Sequence, residues 1–191
     1  MQYSLRPILT ALLLTGTLML AACGTPGDNL PPIPNALNDV YRLGAGDQVR
    51  IITFSDEQLT GDFRVNDSGN IALPLIGPIK AEGLTTNQLE GSVAQVLKQK
   101  NLYRDPSVAV EVISYRPVFV LGEVSKPGQF PYQPGMSLIT SVAIAGGFTY
   151  RAVDDMGSIV RTVEGKPEEF RATRQTLLRP GDVVTVYERH F

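Results

Sequence analysis

Apolar residues recur along this chain with two different spacings, and the two spacings predict strands and helices in turn. Val108, Val110 and Val112 alternate with other side chains, which is the period of a strand. A second group recurs at helical spacing on one face and predicts a helix: Leu89, Val93, Val96 and Leu97. Further strands are predicted over residues 49–54, 158–163, 169–172 and 183–187.

Polar residues and prolines between these runs predict how the first half is connected. Thr85 followed by Gln88 is a capping box, so the helix is expected to begin there. The loop over residues 66–70, which contains Gly69, is rich in residues that tolerate positive φ. It predicts a hairpin between the strands on either side of it. The prolines of residues 74–79 favour a chain that follows a sheet edge.

A second hairpin is predicted at the start of the second half. Residues 118–124 form a β-branched apolar run, and Phe130 and Tyr132 resume a period of two. Between them, Pro127 supplies a fixed φ and Gly128 is expected to take a positive one, as in a tight turn.

A short helix is predicted to follow this hairpin. Ser137 is suited to cap the first free amides of a helix. Gly146 and Gly147 are suited to the left-handed conformation that ends one.

One turn sequence occurs twice and suggests two domains of similar design. Gly46 and Asp47 precede one β-branched run, and Gly181 and Asp182 precede another. With a division near residues 115–117, the sequence predicts an α+β protein of two small domains.

The first residues predict export from the cytoplasm. Arg6 precedes an uncharged apolar segment over residues 8–22, which is typical of a secretory signal. The segment is shorter than the roughly 20 residues that a helix needs to cross a bilayer. A permanent transmembrane anchor is therefore the weaker interpretation.

The end of this segment resembles the lipobox of bacterial lipoproteins. Leu20, Ala21 and Ala22 directly precede Cys23, the single cysteine of the chain. The resemblance implies that Cys23 is acylated and becomes the first residue of the mature protein. It also implies sorting to the outer membrane, because Gly24 rather than Asp follows the cysteine.

Four prolines between residues 24 and 38 predict a semi-extended tether between the lipid and the folded body. The predicted divisions are a signal peptide over 1–22, a lipidated tether over 23–39, and two domains over 40–114 and 115–191.

Composition gives little support to catalysis. The chain has 191 residues, a formal net charge of -2 and one histidine, His190. One histidine and one acylated cysteine do not make a metal site within one chain, so no cofactor and no enzymatic activity are expected. Asp154 and Asp155 are adjacent in a polar loop and favour a solvated turn over a catalytic pair. The charges are balanced and form no block of like sign, so the sequence does not indicate binding to nucleic acid.

Taken together, the motifs resemble those of bacterial polysaccharide export lipoproteins of the Wza type. The first domain matches the export-domain pattern in three places: Tyr41–Asp47, Asn66–Gly77 and Gly83–Thr85. The second matches the pattern of a soluble-ligand-binding β-grasp (SLBB) domain in four: 120–124, Lys126–Gly128, Ala145–Gly147 and Pro180–Asp182. The resemblance covers nearly the whole mature chain.

This resemblance implies a homo-oligomeric ring, octameric in that family, which lines a periplasmic passage for exopolysaccharide or capsule polymer. It implies contact with an inner-membrane copolymerase that is often coupled to a tyrosine kinase. Only residues 188–191 follow the last predicted strand, so the C-terminal membrane helix and second β-grasp repeat of larger members are not expected here. Another protein is then expected to supply the outer-membrane pore, unless the lipid anchor alone is enough.

Three residues beside the 118–149 stretch are candidates for contact with sugar or with a neighbouring subunit. Arg116 and Arg151 can pair with uronate carboxylates, and Tyr150 offers a ring for sugar stacking. Each is also compatible with an ordinary rim position. The alternative function is a monomeric periplasmic ligand-binding β-grasp lipoprotein. A third function, hydrolysis of polysaccharide, would be supported only if the purified protein shortened the polymer.

Overall fold

The computed structural model describes residues 27–34, 40–54, 56–163 and 165–189, and within them it confirms the predicted α+β fold. The signal segment and Cys23 lie outside the described residues. The first-domain elements are β1 (Gln48–Thr53), β2 (Asp56–Arg64), β3 (Asn70–Leu73), β4 (Gly77–Lys80), α1 (Thr86–Gln99) and β5 (Val108–Ser114). The second-domain elements are β6 (Val118–Gly122), β7 (Gly128–Phe130), α2 (Leu138–Ile144), β8 (Met156–Val163), β9 (Lys166–Thr173) and β10 (Val183–Val186).

The first domain is an antiparallel sheet, ordered β2-β1-β5, that packs against α1. The predicted capping box is confirmed, because Gln88 N donates to Thr85 Oγ1 (3.2 Å) and Thr85 N donates to Gln88 Oε1 (3.0 Å). The helix buries Leu89, Val93 and Leu97 on the predicted face. A single core therefore joins sheet and helix in this domain.

The strands on either side of the 66–70 loop do not form the predicted hairpin with each other. The loop closes as expected, since Asn66 N donates to Asn70 O (2.8 Å). However, β3 pairs with β4, and β2 pairs with β1. The segment expected to follow an edge instead turns back and places Ile79 opposite Ile71. Both side chains are buried, so this pairing brings both into the core.

The second domain has a five-stranded sheet ordered β7-β6-β10-β8-β9, with β10 at its centre. The β6–β10 pair is parallel, and the other pairs are antiparallel. Helix α2 begins at Ser137 with a capping box to Thr140, and Gly146 and Gly147 follow it with φ of 86° and 89°. The predicted start and stop of this helix are thus confirmed.

The predicted left-handed conformation at Gly128 is wrong. Gly128 is absent from the residues with positive φ and begins β7, where it pairs with Val120. The connection from β6 instead turns at Gly122, with φ of 84°. A methyl group on Gly122 would lie 2.0 Å from the carbonyl oxygen of Val186. Glycine is needed here for close approach of two strand ends as well as for its φ.

Part of the predicted tether is docked on the second domain. Arg171 N donates to Pro31 O (2.8 Å), and Pro32 forms a parallel bridge to Arg171 at the free edge of β9. Ile33 packs against the second core. Residues 27–34 therefore belong to the folded body, because they pair with a strand and bury an apolar side chain.

Replacing Gly122 with Ala tests the close approach of β6 and β10. The added methyl group would clash with backbone, so we expect a loss of about 1–3 kcal/mol of stability beyond the cost of the φ alone. The matched control is Gly147→Ala, which has a similar φ of 89° but no heavy atom within 4 Å of the new methyl. Urea unfolding of both variants measures the difference; equal losses would contradict this account.

Candidate functional site at the domain junction

The two Gly-Asp turns predicted from the sequence have the same hydrogen-bond pattern. In the first, Gly44 N donates to Asp47 Oδ2 (2.8 Å), and Asp47 N donates to Gly44 O (3.1 Å). In the second, Arg179 N donates to Asp182 Oδ2 (2.7 Å), and Asp182 N donates to Arg179 O (3.1 Å). Each carboxylate thus holds its own turn closed from inside the protein.

Asp47 is fully buried and joins the first domain to the start of the second. It accepts hydrogen bonds from the hydroxyl of Tyr41 and from the backbone amide of Arg116 (2.9 Å). The Arg116 Nε atom lies 3.5 Å from Asp47 Oδ1, which is ion-pair distance without a hydrogen bond. Burial, together with the hydrogen bond to Asp47, raises the pKa of Tyr41 far above its ordinary value.

Asp182 forms the corresponding contact inside the second domain. Arg161 donates to both carboxylate oxygens, from Nε at 3.0 Å and from Nη2 at 2.6 Å. The side chains are only 6% and 2% exposed, so this is a buried bidentate ion pair. Arg161 Nη2 also donates to Leu177 O (3.1 Å), which further satisfies the guanidinium.

The side chain of Arg116 lies between the two turns. A methyl group on Gly44 would come within 2.0 Å of Arg116 Nη1, and one on Gly181 would lie 3.8 Å from its Nε. Gly181 N also donates to Pro117 O (3.1 Å). Arg116 therefore contacts both domains, and the absence of a side chain at Gly44 makes room for its guanidinium.

Three tyrosines continue the contact between the domains. The rings of Tyr41 and Tyr115 meet edge to face with centroids 5.1 Å apart, and those of Tyr115 and Tyr132 do so at 5.4 Å. Burial raises the pKa of Tyr132. Such pairs are stabilising beyond the area they bury, so the junction resists bending.

A cleft of about 590 Å³ opens beside this junction. Its polar lining includes four arginines, two tyrosines and two acidic residues: Arg42, Arg116, Arg161, Arg179, Tyr41, Tyr132, Glu82 and Asp182. Several of these arginines are already engaged within the protein, Arg42 through Gly83 O at 2.8 Å. The arrangement is chemically suited to an anionic or sugar ligand, although much of its charge is used in holding the domains together.

The structure separates the three residues predicted for polymer or subunit contact. Arg116 lies at the junction, whereas Tyr150 and Arg151 lie at the far end of the second domain. Tyr150 is 91% exposed, and Arg151 forms an ion pair with Glu188. The three do not form a single site.

Within the described ranges there is no group of three or more side chains that could hold a metal ion. No helix in the same part of the chain has the length and apolarity to span a membrane. Asp154 forms an ion pair with Arg189 (3.0 Å), and both side chains are about half exposed.

Two family models match consecutive parts of the chain. Residues 35–113 match the polysaccharide biosynthesis/export protein model, and residues 117–170 match the SLBB domain model. The two matches meet at the junction described above.

Three relatives have names connected with polysaccharide. The chain is 33% identical over 140 residues to the exopolysaccharide production protein ExoF of Rhizobium meliloti (68% of this chain, 32% of ExoF). It is 28% identical over 185 residues to the EPS I polysaccharide export outer membrane protein EpsA of Ralstonia nicotianae (78% and 48%). It is 30% identical over 127 residues to the polysialic acid transport protein KpsD of Escherichia coli (65% and 22%).

The aligned part of this chain thus spans between about a fifth and a half of the length of these relatives. Their names describe production, export and transport rather than a catalysed reaction, which agrees with the expectation that the protein is not an enzyme.

Removal of the Asp182 charge tests the buried ion pair. Asp182→Asn leaves Arg161 buried without a counter-charge, and we expect it to cost about 3–5 kcal/mol in urea unfolding. The control is Asp62→Asn, which breaks the equally bidentate pair with Arg50 where the side chains are 49% and 51% exposed. Water screens that pair, so its loss is expected to be small. Similar losses in the two variants would contradict the role given to Asp182.

The raised pKa of Tyr41 predicts a specific loss of stability at alkaline pH. A pKa higher in the folded than in the unfolded state gives stability that is complete below the unfolded value, about 10, and declines as pH rises above it. Tyr41→Phe removes this contribution, so the stability advantage of the native chain over the variant should shrink between pH 8 and pH 10.5. Urea unfolding at both pH values measures it. A constant difference would show that Tyr41 does not titrate in this way.

Proposed function

Because this chain belongs to the family of polysaccharide biosynthesis and export proteins, we propose that it is a component of an exopolysaccharide or capsule export machine. It forms an oligomeric ring on the periplasmic side of the outer membrane, and polymer passes through that ring. Residues 40–114 act as the export domain and residues 115–191 as the SLBB β-grasp domain.

The observation that carries this proposal is the fixed junction between the two matched domains. A closed ring requires every copy to present the same surfaces at the same angle. Asp47, Arg116 and the three tyrosines bond or pack across the junction and so limit bending between the domains. This geometry suits a structural part of a conduit better than a hinged ligand-binding protein.

The anchor in this proposal is an acylated Cys23, which holds the ring at the outer membrane and facing the periplasm. Support comes from the lipobox-like residues 20–23 and from the name of the EpsA relatives, which are called outer membrane proteins. Several acyl chains on one cysteine would give firm attachment, since one chain alone binds membranes only marginally.

The proposed partners are the polymer, further copies of this chain, and an inner-membrane copolymerase coupled to a tyrosine kinase. An octamer is the assembly that the family resemblance implies. A separate outer-membrane pore completes the path if the ring itself does not cross the membrane.

The alternative is a monomeric periplasmic lipoprotein that binds a ligand. The observation in its favour is the cleft of about 590 Å³, because pockets for small ligands are often found between domains. Its arginine and tyrosine lining is suited to an acidic sugar.

Native mass spectrometry of the acylated protein, extracted in mild detergent, distinguishes the two. The ring predicts one closed multi-subunit species, whereas the alternative predicts a monomer. Deletion of the gene tests the role in export, and we expect polymer to accumulate in the periplasm of the deletion strain. A monomer whose deletion leaves polymer export unchanged would overturn the proposal.

A further inference from the structure

The parallel pairing of β6 with β10 gives the second domain two distinct ends. Arg116 and Asp182 precede these strands and lie at the junction with the first domain. Both strands run away from the junction, and Gly122 is paired with Val186 where they finish. We call the opposite end, formed by residues 149–154 and 187–189, the distal end.

Backbone bonds and ion pairs hold the distal end together. Val153 N donates to Tyr187 O and Arg189 N donates to Arg151 O, both at 2.8 Å. Arg189 pairs with Asp154 at 3.0 Å, and Arg151 pairs with Glu188. The positive charges are thus matched by negative ones, so this surface has no net attraction for an anionic membrane.

Tyr150 projects from this surface. Ala152 N donates to Thr149 O (3.2 Å), which closes a turn with Tyr150 at its second position. Thr149 is itself fixed by a backbone bond to Glu123 O (3.1 Å). The tyrosine is 91% exposed although its backbone is well anchored, and no core contact accounts for it.

The N-terminal segment reaches the same end. Gly27 packs so closely on Tyr187 that a methyl group there would lie 2.8 Å from the ring atom Cε2. Cys23 is four residues earlier in the chain. Four residues span at most about 14 Å, so a lipid on Cys23 is confined near the distal end.

We propose that Tyr150 lies in the interfacial region of the bilayer to which the protein is anchored. This inference rests on the proposed acylation of Cys23. An aromatic ring with a polar hydroxyl is suited to the boundary between headgroups and acyl chains. Because only four residues separate Cys23 from Gly27, the lipid anchor keeps the Tyr150 ring near that boundary. The contact between the ring and the bilayer therefore needs little affinity of its own. The first domain then points away from the membrane.

The absence of tryptophan from the sequence allows a direct test. Tyr150→Trp places a single indole ring at the distal end, at an exposed position where no packing constrains its size, and circular dichroism verifies the fold. The acylated full-length variant is reconstituted into phosphatidylcholine vesicles that carry brominated acyl chains. We expect a blue-shifted indole emission that bromine quenches at least twofold, and equally in vesicles with added anionic lipid.

The matched control is Phe54→Trp. Phe54 is 76% exposed and follows β1, which leads away from Asp47 and the junction. The indole of this variant is expected to emit as in water and to be quenched little. Vesicle flotation, with Cys23→Ser beside the native cysteine, measures anchoring separately.

The outcomes separate this inference from the proposed function. If the protein floats with vesicles but the Tyr150→Trp variant is quenched no more than the Phe54→Trp variant, the membrane contact of Tyr150 is overturned and the anchor stands. If flotation is the same with Cys23→Ser, or does not occur at all, the proposed lipid anchor fails, and this inference fails with it. Shielding of the indole in Tyr150→Trp only when an outer-membrane protein is added would overturn the lipid contact and assign the distal end to a protein partner instead.

Discussion

A carboxylate that is removed from water must be surrounded by donors, and this requirement organises the junction of the two domains. Asp47 is fully buried, and its donors come from the segment before β1, from its own turn and from the linker after β5. Satisfying one side chain therefore fixes the positions of two separate stretches of chain, residues 41–47 and the linker at Arg116. The direction in which the second domain leaves the first depends on this contact.

Arg116 extends the same constraint into the second domain. Its guanidinium packs against Gly44 of the first turn, and its Nε faces Gly181 of the second. One arginine side chain therefore contacts both copies of the Gly-Asp turn. Asp47 is paired across the junction, and Asp182 is paired internally with Arg161. The repeated motif is thus a local device for closing a turn, and the surrounding arginines decide whether it also joins domains.

Much of the fold follows from local sequence, because capping and turn formation involve neighbouring residues. The capping box at Thr85, the N-cap at Ser137 and the stop at Gly146 could be predicted directly from the sequence. The β3–β4 pairing and the role of Gly122 could not, since both depend on what lies opposite in space. The candidate site at the domain junction is even harder to predict from the sequence. Arg116 and Asp47 are 69 residues apart in sequence, and no local pattern links them.

The docking of Pro31 and Pro32 along β9 has a consequence for how copies of the chain can meet. A free sheet edge invites pairing with any exposed strand, which leads as readily to aggregation as to ordered assembly. Here the edge is occupied near Arg171 by residues of the same chain, and Pro167 removes a further donor near the start of β9. Continuous strand addition along this edge is therefore blocked, so the edge of β9 does not offer an uninterrupted row of backbone groups to another strand.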